Sequence, residues 1–208
     1  MSLTIALNRG RILKECLPLL ARAGIEPLED IHSSRKLIFD TSGGFKLIVV
    51  RGSDVPTYVE HGVAHVGITG KDTILEYGEG ASFYERLDLG IGVCQLMVAA
   101  PVKADYSTGP IRVASKFVNV SRSYFEGLGR QATIIPLSGA IELAPLTGLA
   151  DVIVDIVDTG NTLRANGLEA REAIAAISTR LIVNRAAQKT RFAAVQDLID
   201  RLRQVIAA

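Results

Sequence analysis

Along nearly its whole length the chain alternates short apolar runs with amphipathic stretches, a rhythm that fits α/β architecture with mainly parallel sheets and little else. Residues 3–7 read as a strand and 10–23 as a helix with Ile12, Leu13, Leu17 and Leu20 on one face. Residues 37–39 and 45–50 read as strands flanking a "DTSGG" turn, consistent with a hairpin. Ser53 is placed to cap a short helix running to Glu60, with Pro56 in its first turn. A strand at 66–69, a helix opening at 71–76 and a strand at 96–100 complete the first rhythm, which a Pro/Gly/Ser/Thr-rich patch at 101–110 interrupts. Strands at 111–114, 133–135, 152–157 and 176–185 then alternate with helices at 121–128, 141–146, a short one from Thr162, and an amphipathic terminal one at 189–206. Two rhythms fit two lobes: residues 1–95 with 180–208, and residues 96–179, with crossings near 94–100 and 178–184 that would form a hinge. There is no internal repeat and no low-complexity segment.

Composition narrows the function classes. A 208-residue chain that is 48% apolar can bury a sizeable core, and a net charge of +1 gives no basic face for nucleic acid or for a membrane surface. Any anion site must therefore be built locally. Cys16 and Cys94 lack metal-ligand spacing and read as reduced thiols of a cytoplasmic protein. The N-terminus has no secretory pattern, and no apolar run is long enough for a bilayer.

The segment "VIVDIVDTGNTLRANGL" (152–168) carries the most specific chemistry. A buried strand ends on Asp155 and Asp158, then turns through Thr159, Gly160, Asn161 and Thr162 into a helix start. Backbone N–H groups and threonine hydroxyls at a helix N-terminus can cradle a phosphate, and glycine lets the backbone approach it closely. Carboxylates just upstream suit the hydroxyls of a ribose. The plainer alternative is a capped strand–helix turn with Thr162 as N-cap and solvated aspartates.

This loop resembles the phosphoribosyl-pyrophosphate (PRPP) loop of phosphoribosyltransferases, and the similarity extends further. "IALNRGRI", "RGSDVPTYVEHGVAHVGITGKD", "LSGAIELAPLTGLADVIVDIVDTGNTLRANGL" and "STRLIVNR", in order from about Leu3 to Arg185, resemble the ATP phosphoribosyltransferase family, in a length that matches its short form. The resemblance implies a periplasmic-binding-protein-like (type II) fold with a cleft between two lobes. It implies attack of adenine N1 of ATP on the anomeric carbon of PRPP, giving N1-(5-phospho-ribosyl)-ATP and pyrophosphate in the first step of histidine biosynthesis. It further implies Mg²⁺ held mainly by substrate and water, a homodimer when alone, and a histidyl-tRNA-synthetase-like regulatory subunit joining it in a hetero-octamer.

Arg9, Gly10 and Arg11 follow the first strand, where an open α/β sheet presents its ligand edge, and two guanidiniums there can hold a pyrophosphate. The family more often has Lys-Gly-Arg at these positions, so Arg9 keeps the charge with a different side chain. Arg9, Arg11 and Asp155 are the residues expected to carry the reaction. Arg35, Arg51, Gly70 and Lys71 of "GITGKD", and Glu142 are further candidates for contacts to ATP or pyrophosphate, each equally readable as a surface charge or a tight turn. His61 and His65 stand four apart, but Gly62 weakens a helix there and no third ligand is evident, so a metal site is not expected. His32 has no motif around it. Two alternatives stay open on the residues alone: a two-lobed small-anion-binding protein without catalysis, and a phosphoribosyltransferase for another base.

Overall fold

The computed structural model describes residues 2–106 and 108–207; Ser107, within the 101–110 patch, lies outside them. In chain order the elements are β1 (Thr4–Asn8), α1 (Arg11–Arg22), β2 (Ile38–Asp40), β3 (Lys46–Val50), a 3-10 turn (Gly52–Asp54), α2 (Val55–Glu60), β4 (Val66–Gly70), α3 (Lys71–Tyr77) and β5 (Phe83–Asp88). They continue with β6 (Cys94–Pro101), β7 (Ile111–Ser115), α4 (Val118–Gly127), β8 (Ala132–Pro136), α5 (Leu143–Leu146), β9 (Val152–Val157), α6 (Asn161–Ala165), β10 (Leu168–Ile177), β11 (Thr179–Asn184), α7 (Arg185–Thr190) and α8 (Phe192–Ala207). One compact unit runs to Gly92 and resumes at Ser178, and the other is Val93–Ile177.

The first unit holds a six-stranded sheet in the order β2-β3-β1-β4-β11-β5. The middle residues of β1, β3 and β11 are apolar on both faces, because both faces are covered. In β1, Ile5 and Leu7 pack toward Leu13, Cys16 and Leu20 of α1 and Leu198 and Ile199 of α8. Ala6, between them, turns to the opposite face and meets Val55 and Val59 of α2. β3 repeats the division with Leu47 and Val49 on one side and Ile48 on the other, and β11 does so with Leu181 and Val183 against Ile182. Burial pushes the Cys16 thiol up to about 12, so it is an inert core group.

The second unit has a five-stranded sheet in the order β10-β6-β9-β7-β8. α5 and α6 bury Ala144 and Leu163 against Ile153 of β9 and Ala114 of β7. α4 packs on β7 and β8, where Phe125 is fully buried.

Both sheets are mixed, where the strand–helix rhythm predicts mainly parallel ones. β1 pairs in parallel with β3 and β4, and β7 with β8 and β9, as βαβ units require. The antiparallel pairs include those beside the crossings: β11 with β5 and β4, and β6 with β10 and β9. A unit inserted into another must be entered and left at one place, so the strands leading in and out run in opposite directions. Ile177, the last residue of β10, pairs with Cys94, the first of β6.

Two strands escape the apolar pattern. β5 reads "FYERLD", and β10 reads "LEAREAIAAI", whose Ala, Glu and Leu content favours helix. β10 is instead drawn into the sheet by pairing along β6, with irregularities between Ala170 and Glu172 and between Ala173 and Ala175. Ser53 does not cap α2; it lies within the 3-10 turn and its hydroxyl donates to Asp54 Oδ1 at 3.1 Å. The terminal helix begins at Phe192, after a separate α7 whose N-cap is Asn184, accepting the Ala187 N–H at 2.9 Å.

Candidate functional site

In each sheet the parallel strands end together, which collects their following loops on one edge. In the second unit that edge follows β7, β8 and β9. β9 is buried through Val152, Ile153 and Val154, and its exposure rises at Asp155 as the strand leaves the core. The Asp155 carboxylate accepts the N–H of Ile156 at 2.8 Å and lies 3.6 Å from Lys116 Nζ. Lys116 directly follows β7 and sits over the Phe117 ring. Its place beyond a parallel strand matches that of Arg9, a signal that the motif reading passed over.

After β9 the chain turns through Gly160 at φ 72 and ψ 8, a left-handed conformation that glycine adopts without a Cβ clash. α6 starts at Asn161 with Gly160 as its N-cap, so Thr162 lies inside the helix and is not the cap. Asp158, Thr159 and Gly160 line a pocket of about 560 Å³ together with Leu163, Arg164 and Glu169. Arg164 was not singled out from the sequence, yet its guanidinium donates to the Thr159 carbonyl at 2.9 Å and to Asn161 Oδ1 at 2.6 Å. Glu142 directly precedes α5, in the connection from β8. In that connection Ala140 has φ 48, the only positive φ of a non-glycine among the described residues.

In the first unit the edge follows β1, β3 and β4. The Arg9 N–H is bonded to the Val50 carbonyl at 3.0 Å, and Gly10, at φ 89, turns the chain into α1. Arg9 and Gly10 line a pocket of about 230 Å³ with His32, Ser34 and Lys36. Arg35 is exposed between the last two but is not part of the wall. Arg11 is the first residue of α1 and pairs with Glu15 at 2.8 Å, one helical turn on. Arg51 is exposed before Gly52, where a Cβ would come within 2.7 Å of the Asn8 side chain. Glycine is therefore what lets the ends of β1 and β3 approach.

The "GITGKD" loop is largely satisfied from within. The Lys71 N–H donates to the Ser178 carbonyl at 2.9 Å, and its ammonium donates to Glu85 at 2.6 Å. A Cβ at Gly70 would collide with the Asp72 carboxylate. His65 Nδ1 accepts the Thr4 N–H at 2.9 Å, and burial, with the Arg191 charge second, holds its pKa below the ordinary value. That places His65 as an acceptor at the start of β1, with His61 exposed at the end of α2.

The fold and site are those of a two-unit α/β protein, one unit of which carries an acid-tipped strand and a hydroxyl-rich loop turned on a left-handed glycine. The ATP phosphoribosyltransferase (HisG) family model matches residues 51–204. The chain belongs to the ATP phosphoribosyltransferase family. An ATP phosphoribosyltransferase of Alcanivorax borkumensis is 58% identical over 99% of this chain and 96% of its own length. One from Pseudomonas aeruginosa is 56% identical over 99% and 98%. Among solved structures, an ATP phosphoribosyl transferase (HisG:HisZ) complex from Thermotoga maritima superposes with a TM-score of 0.87 at 34% identity, covering 99% of this chain and 98% of that one. The periplasmic aliphatic sulphonate binding protein SsuA of Escherichia coli has a TM-score of 0.63 at 14% identity, covering 99% of this chain and 68% of its own, a likeness of fold alone.

Proposed function

We propose that this chain catalyses the reaction of its family, joining ATP to PRPP through adenine N1 with loss of pyrophosphate, as the first step of histidine biosynthesis. The observation that carries the assignment of the PRPP site is the loop from Asp158 to Thr162, turned on left-handed Gly160 directly after an acid-tipped strand, with Asp158, Thr159 and Gly160 lining a pocket. The 5-phosphate would be taken by the Gly160–Thr162 backbone amides and the threonine hydroxyls, and the ribose hydroxyls by Asp155 and Asp158. Arg9 and Arg11 would take the leaving pyrophosphate. Arg11 would exchange its exposed pairing with Glu15 for that contact, an exchange of small cost because surface ion pairs contribute at most about 1 kcal/mol. Arg35, Arg51, Gly70, Lys71 and Glu142 remain candidate contacts to ATP or pyrophosphate; of these Lys71 would first have to leave Glu85.

Displacement at an anomeric carbon develops positive charge on the sugar and negative charge on the leaving group, so the chain's part is positioning and electrostatics. Mg²⁺ would neutralise the pyrophosphate oxygens. It would be held mainly by substrate and water. The proposed setting is cytoplasmic, where ATP and PRPP are made; no helix among the described residues is long and apolar enough to cross a membrane. The likeness to the HisG:HisZ complex supports a HisZ-like regulatory partner. The finer reading proposed beside it is a histidyl-tRNA-synthetase-like subunit through which histidine acts, joined in a hetero-octamer, and a homodimer when the chain is alone. The test mixes ATP, PRPP and Mg²⁺ with the protein and follows the near-UV absorbance of the N1-substituted adenine, with and without histidine and the partner. No product from ATP would overturn the activity, and strong histidine inhibition without a partner would overturn the regulation.

A further inference from the structure

We propose that Arg164 is a positioning residue that holds the Asp158–Thr162 loop in its phosphate-accepting shape before substrate arrives; this rests on reading that loop as the PRPP site. The guanidinium reaches back along α6, as helical side chains do, and ties together the two residues that flank Gly160. Its Nη2 donates to the Thr159 carbonyl at 2.9 Å and to Asn161 Oδ1 at 2.6 Å. Its Nη1 lies 3.1 Å from where a Cβ on Gly160 would stand, so the planar fork lies directly against the glycine. Besides this clamp, the Arg164 N–H bonds the Gly160 carbonyl at 3.1 Å, the Asn161 N–H makes a long contact of 3.4 Å to Thr159 Oγ1, and Asn166 Nδ2 donates to the Thr162 carbonyl at 2.9 Å. Glycine has the widest backbone freedom of any residue, so a turn built on it samples many shapes unless it is tied across. A clamp across it removes those shapes in the free protein, so less ordering remains for the ligand to impose. Both bonds leave one nitrogen, Nη2, while Nη1 of the same rigid plane rests against Gly160; a lysine ammonium would carry the charge and donors but has no such plane to hold them in place.

The test uses the full-length protein and three variants, Arg164→Ala, Arg164→Lys and Gly160→Val. It reads steady-state kinetics, ribose 5-phosphate affinity by calorimetry, and hydrogen exchange of the loop amides without ligand. Loss of both clamp bonds in Arg164→Ala is expected to raise the KM for PRPP and the Kd for ribose 5-phosphate about tenfold. Turnover at saturation and the KM for ATP should stay within about twofold, because the clamp acts before the chemical step. The loop amides should exchange faster in the free variant, and Arg164→Lys should follow Arg164→Ala. Unchanged PRPP affinity in Arg164→Ala overturns the proposal. So does weakened affinity with unaltered loop exchange, which would make Arg164 a direct ligand contact, and so does full recovery in Arg164→Lys, which would make charge the whole effect. If Gly160→Val also binds PRPP normally, the loop is not the site and the underlying reading falls too. If Gly160→Val fails while Arg164→Ala behaves as wild type, only the clamp is lost.

Discussion

Gly160 is the position where a small change should separate binding from stability. Its φ of 72 places an alanine there in the left-handed region, at a cost of about 1–2 kcal/mol for an L-residue. The new Cβ would also stand 3.1 Å from Arg164 Nη1, so the guanidinium must give way. The loop can escape this cost by leaving the left-handed turn, because Asp158, Thr159, Asn161 and Thr162 are exposed and only Leu163 anchors α6 in the core. Escape abandons the proposed phosphate-accepting shape. At about 1.4 kcal/mol per factor of ten, Gly160→Ala should therefore raise the KM for PRPP by about 5–30-fold. Valine, whose branched Cβ resists this region more strongly, should raise it further. If the loop stays in place and bears the strain, the loss of Tm is at most about 4–8 °C; if it rearranges, the loss is smaller. Initial rates with PRPP varied at saturating ATP, followed by near-UV absorbance, give the first quantity, and thermal melts give the second. A folded Gly160→Val protein with wild-type PRPP affinity would refute the reasoning, since the turn would then have no bearing on phosphate.

Three further expectations follow from the same geometry. Arg9→Ala should raise the inhibition constant of pyrophosphate about tenfold or more, as loss of a charge-assisted contact implies, and Arg9→Lys should retain most of the affinity; product-inhibition kinetics decide, and equal constants in all three proteins count against the placement. Asp155→Asn should weaken PRPP while leaving pyrophosphate inhibition near wild type, and calorimetry showing both ligands unaffected would leave the carboxylate only its contacts to Lys116 and Ile156. His65 is held neutral, with its pKa below the ordinary 6.5, so its contribution to stability is complete above about that pH and is lost as pH falls from there through the folded value. His65→Asn keeps an acceptor for the Thr4 N–H without the titration, so its Tm should fall less than wild type between pH 7.5 and 5.5, and parallel melting curves would disprove the assignment.

Much of the fold is legible in the chain because burial on two faces leaves a mark that needs no partner to be seen. β1, β3 and the first half of β9 contain apolar runs of the kind a doubly covered sheet buries, and the TGNT loop announces itself through its glycine and hydroxyls. Arg9 and Gly10 follow β1, and loops after parallel strands share an edge that depends only on strand direction. Other features arise between segments distant in sequence. β10 is a strand because β6 offers a ladder along its length, which outweighs helix-favouring alanine and glutamate, and no local pattern records that offer. Apart from the local β2–β3 hairpin, the antiparallel pairs of β11 and of β6 with β10 lie beside the points where the chain passes between units, a constraint on the crossings and not on any residue's chemistry. The pairing of Lys71 with Glu85 and the bond from the Thr4 N–H to His65 depend on strand register, which the period of a single strand cannot supply. Arg164 lies only four residues from Gly160, yet its side-chain direction decides its role: the same arginine turned to solvent would leave the sequence unchanged and the loop unclamped.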